Sequence, residues 1–197
     1  MTVGTVAVLA GFVAGLTGAG ATHETDVDGQ TAATAAPIPD EVRAGWERQI
    51  GTWVADNSAY RSEDDPHDAF GIEWRWGIGQ TSVVGRLYGI QGGKDVGTYW
   101  EFREYWHPGE RRLVPMQFGA GGAVGIGTRE PGGRSEMLQT FFHPATGVVD
   151  RVGHRSELSG DTNVTRSFNV SADGTWTDRR TYTWVRQPGG TRDPRRP

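Results

Sequence analysis

The 197-residue sequence contains no cysteine, and it has a single lysine, Lys94, against nineteen arginines. The absence of cysteine excludes disulfide staples, thiolate nucleophiles, Cys-ligated zinc and a lipidated N-terminal cysteine. No Gly-x-Ser-x-Gly, Walker A, His-Glu-x-x-His or Rossmann glycine pattern occurs, so nucleophilic and nucleotide chemistry are unsupported. A concentrated basic field is missing as well. The formal net charge is −4, and Glu24, Asp26 and Asp28 near the N-terminus supply three of those negative charges. The arginines are dispersed and read as surface ladder partners, so no nucleic-acid partner is expected.

Long apolar runs are also scarce, with one exception at residues 3–21. That run resembles a secretory hydrophobic region and ends at the small residues Ala19, Gly20 and Ala21. It lacks a positive leading segment, since Arg43 is the first cation. Residues 1–37 are therefore expected to be a leader or disordered extension. The protein would be secreted or periplasmic if this segment is a signal peptide, and cytoplasmic otherwise. The glycine content and short length of the run argue against a permanent membrane span. Residues 188–197, rich in proline, glycine and charge, read as a disordered tail, which leaves 38–187 as the domain.

What the chain has in quantity is aromatic side chains and glycine: eight Trp, 10% aromatics in all, and 30 Gly. That mixture suits strands with large inward side chains joined by tight turns, so the chain reads as all-β. From residue 70 the alternation is strict, with Phe70, Ile72, Trp74, Trp76 and Ile78 on one face and Gly71, Glu73, Arg75 and Gly77 on the other. A two-residue turn at Gly79-Gln80 would set Trp76 opposite Val83, Trp74 opposite Gly85 and Ile72 opposite Leu87. On the other face Glu73 would meet Arg86, and Arg86 would also meet Glu101. Leu87 would then face Trp100 and Gly85 would face Phe102, with glycine leaving room for rings from both neighbours.

Further strands are expected at 98–106, 112–118, 123–129, 134–142, 148–158, 163–170 and 175–186. With those near Trp53, Phe70 and Val83 they make about ten. The connectors are short and carry turn residues (HPGE, EPGG, HPAT, LSGD, SADG), and none is long enough for a crossover helix. The expected architecture is an antiparallel up-and-down β-barrel, closed because closure removes the edges. A short helix beginning at Pro39-Asp40, with Asp40 as cap and Val42, Trp46 and Ile50 on one face, would close one end.

Trp74, Trp76, Trp100, Phe102, Met116 and Phe118 form the candidate lining of a ligand cavity, with His154, Tyr182 and Trp184 supplying polar contacts. The implied partner is a small apolar or amphipathic molecule, bound without catalysis or cofactor. His154 alternates with Val152 and so points inward, and one register sets Glu136 opposite it. An enzyme alternative would use His154 with Glu136 or Glu104 as acid and base. His107 and His143 precede prolines and read as turn residues. The acidic loop 61–68 (RSEDDPHD) lacks calcium-loop spacing and reads as solvated.

The helix followed by Gly51-Thr52-Trp53, together with arginines in the last strand (DRRTYTWVR), resembles the lipocalin-like (calycin) barrels, closest to bacterial families of unassigned function. In that superfamily the Gly-X-Trp tryptophan closes the barrel floor and stacks with an arginine of the last strand. The resemblance implies Gly51 and Trp53 as floor residues, with Arg179, Arg180 or Arg186 as the stacking partner. It also implies that function lies at the opposite end, where loop 61–68 would form part of a lid. The haem-binding nitrobindin-like branch shows Gly-X-Trp-X-Gly-X-Gly, and here Val54, Ala55 and Asp56 follow Trp53. Haem ligated by His154 is the cofactor alternative that the resemblance leaves.

Overall fold

Alternation in the sequence becomes a ring of ten strands in the structure, a computed structural model that describes residues 37–131 and 134–189. All but the inner edges of the expected leader and tail lie outside the described residues. Helix α1 (Asp40–Gln49) leads into β1 (Gly51–Asp56), β2 (Ala69–Trp76), β3 (Ser82–Gln91), β4 (Lys94–His107) and β5 (Arg112–Gly119). Then come β6 (Val124–Arg129), β7 (Arg134–His143), β8 (Val148–Ser159), β9 (Thr162–Val170) and β10 (Trp176–Arg186). Each strand pairs antiparallel with the next, and β1 closes the ring against β10 through Trp53–Arg186 and Val54–Val185. Among the described residues no helix is long and apolar enough to cross a membrane.

The register of β2, β3 and β4 follows the aromatic alternation. Trp76 faces Val83, Trp74 faces Gly85, Ile72 faces Leu87, Gly85 faces Phe102 and Leu87 faces Trp100. Trp74 and Phe102 stack across Gly85 with ring centroids 5.2 Å apart. A Cβ on Gly85 would lie 2.7 Å from the Trp74 ring and 2.5 Å from the Glu73 carbonyl oxygen, so only glycine lets both rings meet.

Ile78 departs from the expected pattern. It leaves the strand in a four-residue turn closed by Gly77 N–H donating to Ser82 O (2.8 Å) and is 85% exposed. Arg86 stands opposite Glu101 in register, but its guanidinium turns to Glu73 (2.9 Å) and Asp95 (2.8 Å).

α1 lies across one end of the barrel because its Val42, Trp46, Ile50 stripe cannot face water. All three side chains are buried with Val83 and Leu113, and Trp76 and Trp106 pack against them. Asp40 is the first helical residue and caps nothing. The free amides of Val42 and Arg43 donate instead to Pro39 O.

Candidate functional site

Inward positions of the strands enclose a cavity of about 680 Å³ that runs the length of the barrel, and its two sides differ. One side is aromatic. Trp74, Trp100 and Phe102 line it from β2 and β4, with Ile72, Leu87 and Trp184 beside them. Phe141 of β7 meets Trp100 edge-on at 5.5 Å.

The other side is polar, because β7 to β10 place short hydroxyl side chains inward in register. Ser156 faces Ser135 and Thr165, and Thr165 faces Tyr182. The two serine hydroxyls bond at 2.6 Å, and Trp184 Nε1–H donates to Thr165 Oγ1 at 2.9 Å. One step further from α1, His154 faces Met137 on one side and Ser167 on the other. Burial, and then the charge of Arg179, push the His154 imidazole down to about 4, so it is neutral near pH 7.

β10 carries a bulge between Asp178 and Thr181, and both Arg179 and Arg180 of that bulge border the cavity. Ser167 holds the bulge, since its hydroxyl donates to Arg180 O (3.3 Å) and accepts from Arg180 N–H (3.2 Å). Arg180 is occupied. Its Nη1 donates to Asp65 Oδ2 (2.6 Å) and to Tyr182 Oη (3.0 Å).

At the helix end Arg186 is the arginine that stacks on Trp53, with its guanidinium carbon 4.1 Å from the ring centroid. The same guanidinium donates to Ile50 O (2.6 Å) and to Arg48 O. Gly51 has φ 131°, and a Cβ there would sit 2.7 Å from Arg186 Nη1, which explains glycine two residues before the tryptophan. Arg179 and Arg180, the other two candidates for that stack, lie toward the far end, where β10 begins.

Several sequence expectations need correction. Trp76 packs edge-on against Trp46 at 6.0 Å under the helix and does not line the cavity, because α1 covers that end of β2. Phe118 is on the outer wall, 42% exposed, opposite Glu101 and Val124. Met116 shares that outward register, opposite Arg103 and Ile126, although it still borders the cavity. Glu136 faces Arg155, one residue off the expected register, and forms an exposed ion pair with it at 2.8 Å, outside the barrel.

Glu104 points inward, but it is 4% exposed and fully engaged. It accepts from Trp46 Nε1 (2.7 Å), Arg129 Nε (2.5 Å) and Arg129 Nη2 (2.6 Å), so it ties the helix to the barrel rather than serving as an acid or base. Trp74, Trp100, Phe102, His154, Tyr182 and Trp184 do line the cavity.

The loop between β1 and β2 folds inward more than a solvated loop would. His67 is 8% exposed, and its Nδ1–H donates to Asp65 Oδ1 (2.9 Å), which leaves Nε2 to accept the Tyr99 hydroxyl (2.8 Å). Asn57, fully buried, donates to His67 O (3.1 Å) and accepts the Tyr182 hydroxyl (2.8 Å). Burial works against ionised Asp65, but hydrogen bonds from His67 and Arg180 prevail and hold its carboxyl below the ordinary range.

Sequence reasoning missed Phe141, Gln117, Ser156, Thr165 and Arg129 as cavity residues. Alternation in β8 (Val152, His154, Ser156, Leu158) carried the signal for that face, which was followed at His154 but not extended to Ser156 or across to Thr165 of β9. Gln139, fully buried, accepts from Gln117 Nε2 at 2.8 Å, and its own Nε2 has no partner.

For haem, His154 offers a neutral inward nitrogen. It has, among the described residues, no hydrogen-bond acceptor of the kind that orients a ligating imidazole, and the charge of Arg179 acts on it. Among the described residues no group of three or more His, Asp or Glu could hold a metal ion. No family model and no curated protein matches this sequence.

Proposed function

We propose that this barrel is a non-catalytic container for a small amphipathic molecule. The observation that carries the reading is the division of one interior of about 680 Å³ into a wall of Trp74, Trp100 and Phe102 and a facing wall of hydroxyls and a neutral imidazole. Burial against the aromatic rings supplies affinity at about 25 cal/mol per Å² of apolar surface, and the few polar groups orient the guest. The acid–base alternative has lost its carboxylates, since Glu136 is outside and Glu104 is locked to Arg129.

Titration of the purified protein with N-phenyl-1-naphthylamine, a neutral aromatic amine that fluoresces in apolar surroundings, is expected to give a saturable signal with quenching of tryptophan emission. Trp100→Ala is expected to weaken it about tenfold or more while far-UV dichroism is unchanged. A linear, non-saturating response from folded protein, extended to a panel of apolar metabolites, would falsify the reading.

A further inference from the structure

Several of the charged groups that border the cavity are paired with neighbours on the protein. Arg129 is bound to Glu104, Arg180 to Asp65, and Asp150 at the far end to His143 at 3.1 Å. Glu41 and Arg48 border the helix end with opposite signs, and Arg103 belongs to the outward register of β4. Arg179 differs in that its charge acts on the inward His154. It lines the cavity, has no ion-pair partner among the described residues, and is reached by solvent, so it carries its charge without a desolvation cost.

Its position follows from the β10 bulge and the pairing of β8 with β9. His154 faces Ser167, Ser167 is bonded to the bulge backbone at Arg180, and Arg179, the other bulge residue, borders the same cavity close enough for its charge to act on His154, at the end away from α1. The Arg179 guanidinium and the His154 imidazole N–H are donors toward an anionic oxygen, while the Ser167 hydroxyl, spent on Arg180 O, fixes the bulge beside them. The aromatic wall faces these donors across the cavity. An anionic group on the guest would gain a charge-assisted hydrogen bond from Arg179 that a neutral guest cannot make.

On the basis of the ligand-binding reading above, we propose that the guest is an organic anion: its carboxylate or sulfonate sits at Arg179 beside Ser167 and His154, and its apolar body lies against Trp74, Trp100 and Phe102. Arg180 takes no part, because Asp65 already supplies its counter-charge.

The test compares two fluorescent probes with the same ring system, anionic 8-anilinonaphthalene-1-sulfonate and neutral N-phenyl-1-naphthylamine, titrated into the full chain at low salt. The sulfonate is expected to bind about tenfold or more tightly than the neutral amine, with the preference narrowing as salt rises. Arg179→Gln is expected to lower sulfonate affinity about tenfold or more and amine affinity by less than about threefold. Arg179→Lys, which keeps the charge, is expected to retain most of the preference.

Phe142→Ser removes apolar surface from the outer wall, where Phe142 is 47% exposed. It is expected to leave both affinities within about twofold; a larger loss would move the probe site outside the barrel and overturn the proposal. Equal affinities for the two probes, unchanged by Arg179→Gln, would overturn the anion site while the container reading stands. If folded protein binds neither probe, both fall.

Discussion

The two ends of the barrel are held together by different physics. At the helix end the closure is packing: Val42, Trp46 and Ile50 are at most 2% exposed, and a buried charge pair, Glu104–Arg129, is joined by a hydrogen bond from Trp46. At the far end the β1–β2 loop is held by a polar network in which Asn57, Asp65 and His67 reach Tyr99, Tyr182 and Arg180, and Arg180 is 39% exposed. Apolar burial responds weakly to pH and salt, whereas partly exposed charged hydrogen bonds respond strongly. The helix end is therefore a fixed floor, and the loop end is the one whose contacts respond to solution conditions.

Three substitutions probe that contrast. The largest effect is expected from Glu104→Ala, which strands Arg129 and the Trp46 N–H in the interior and should cost about 3–5 kcal/mol in denaturant unfolding. A cost below about 1 kcal/mol would mean that the helix is held by apolar contact alone. Arg186→Ala should cost about 2–3 kcal/mol, because it removes the stack on Trp53 and the donors to Ile50 O and Arg48 O. A large loss of stability confined to low ionic strength would contradict it, since the Arg186 side chain is only 13% exposed.

The smallest effect belongs to Asp65→Asn, about 1–2 kcal/mol, reduced from a fully buried pair by the solvent around Arg180. Its pH dependence has a definite sign. The folded carboxyl titrates below its unfolded value of about 3.9, so the stabilisation is present above that pH and is lost as pH falls through the depressed folded value. Hydrogen exchange should show this locally. The Asn57 amide, bonded to Asp68 O at 3.0 Å, should lose protection in acid before the amides of α1 do. Simultaneous loss at both ends would erase the distinction.

The same contrast decides what could be read from the sequence. β2 to β4 were legible to the residue because rings at Trp74 and Phe102 admit only glycine between them at Gly85, which fixes register from composition alone. Phe118 was misplaced because β5 alternates apolar side chains on both faces, Leu113 inward and Phe118 outward, so apolar character carried no direction. The choice among Arg179, Arg180 and Arg186 was closed to parity arguments because the β10 bulge resets the alternation. The far-end network was invisible for a different reason. Arg180 meets Asp65 from 115 positions away, and no local pattern encodes such a contact.

The seam between β1 and β10 also governs how the chain assembles. Nine of the ten junctions in the ring join strands adjacent in sequence, and only this one joins the first strand to the last, bringing together residues such as Ile50 and Arg186, 136 positions apart. Loop-closure entropy makes so distant a pairing the slowest to form, and until it forms the growing sheet keeps two unpaired edges. The Trp53–Arg186 stack is thus a clasp in time as well as in space: it shuts a curling sheet into a ring and removes the edges through which unfinished chains would otherwise associate.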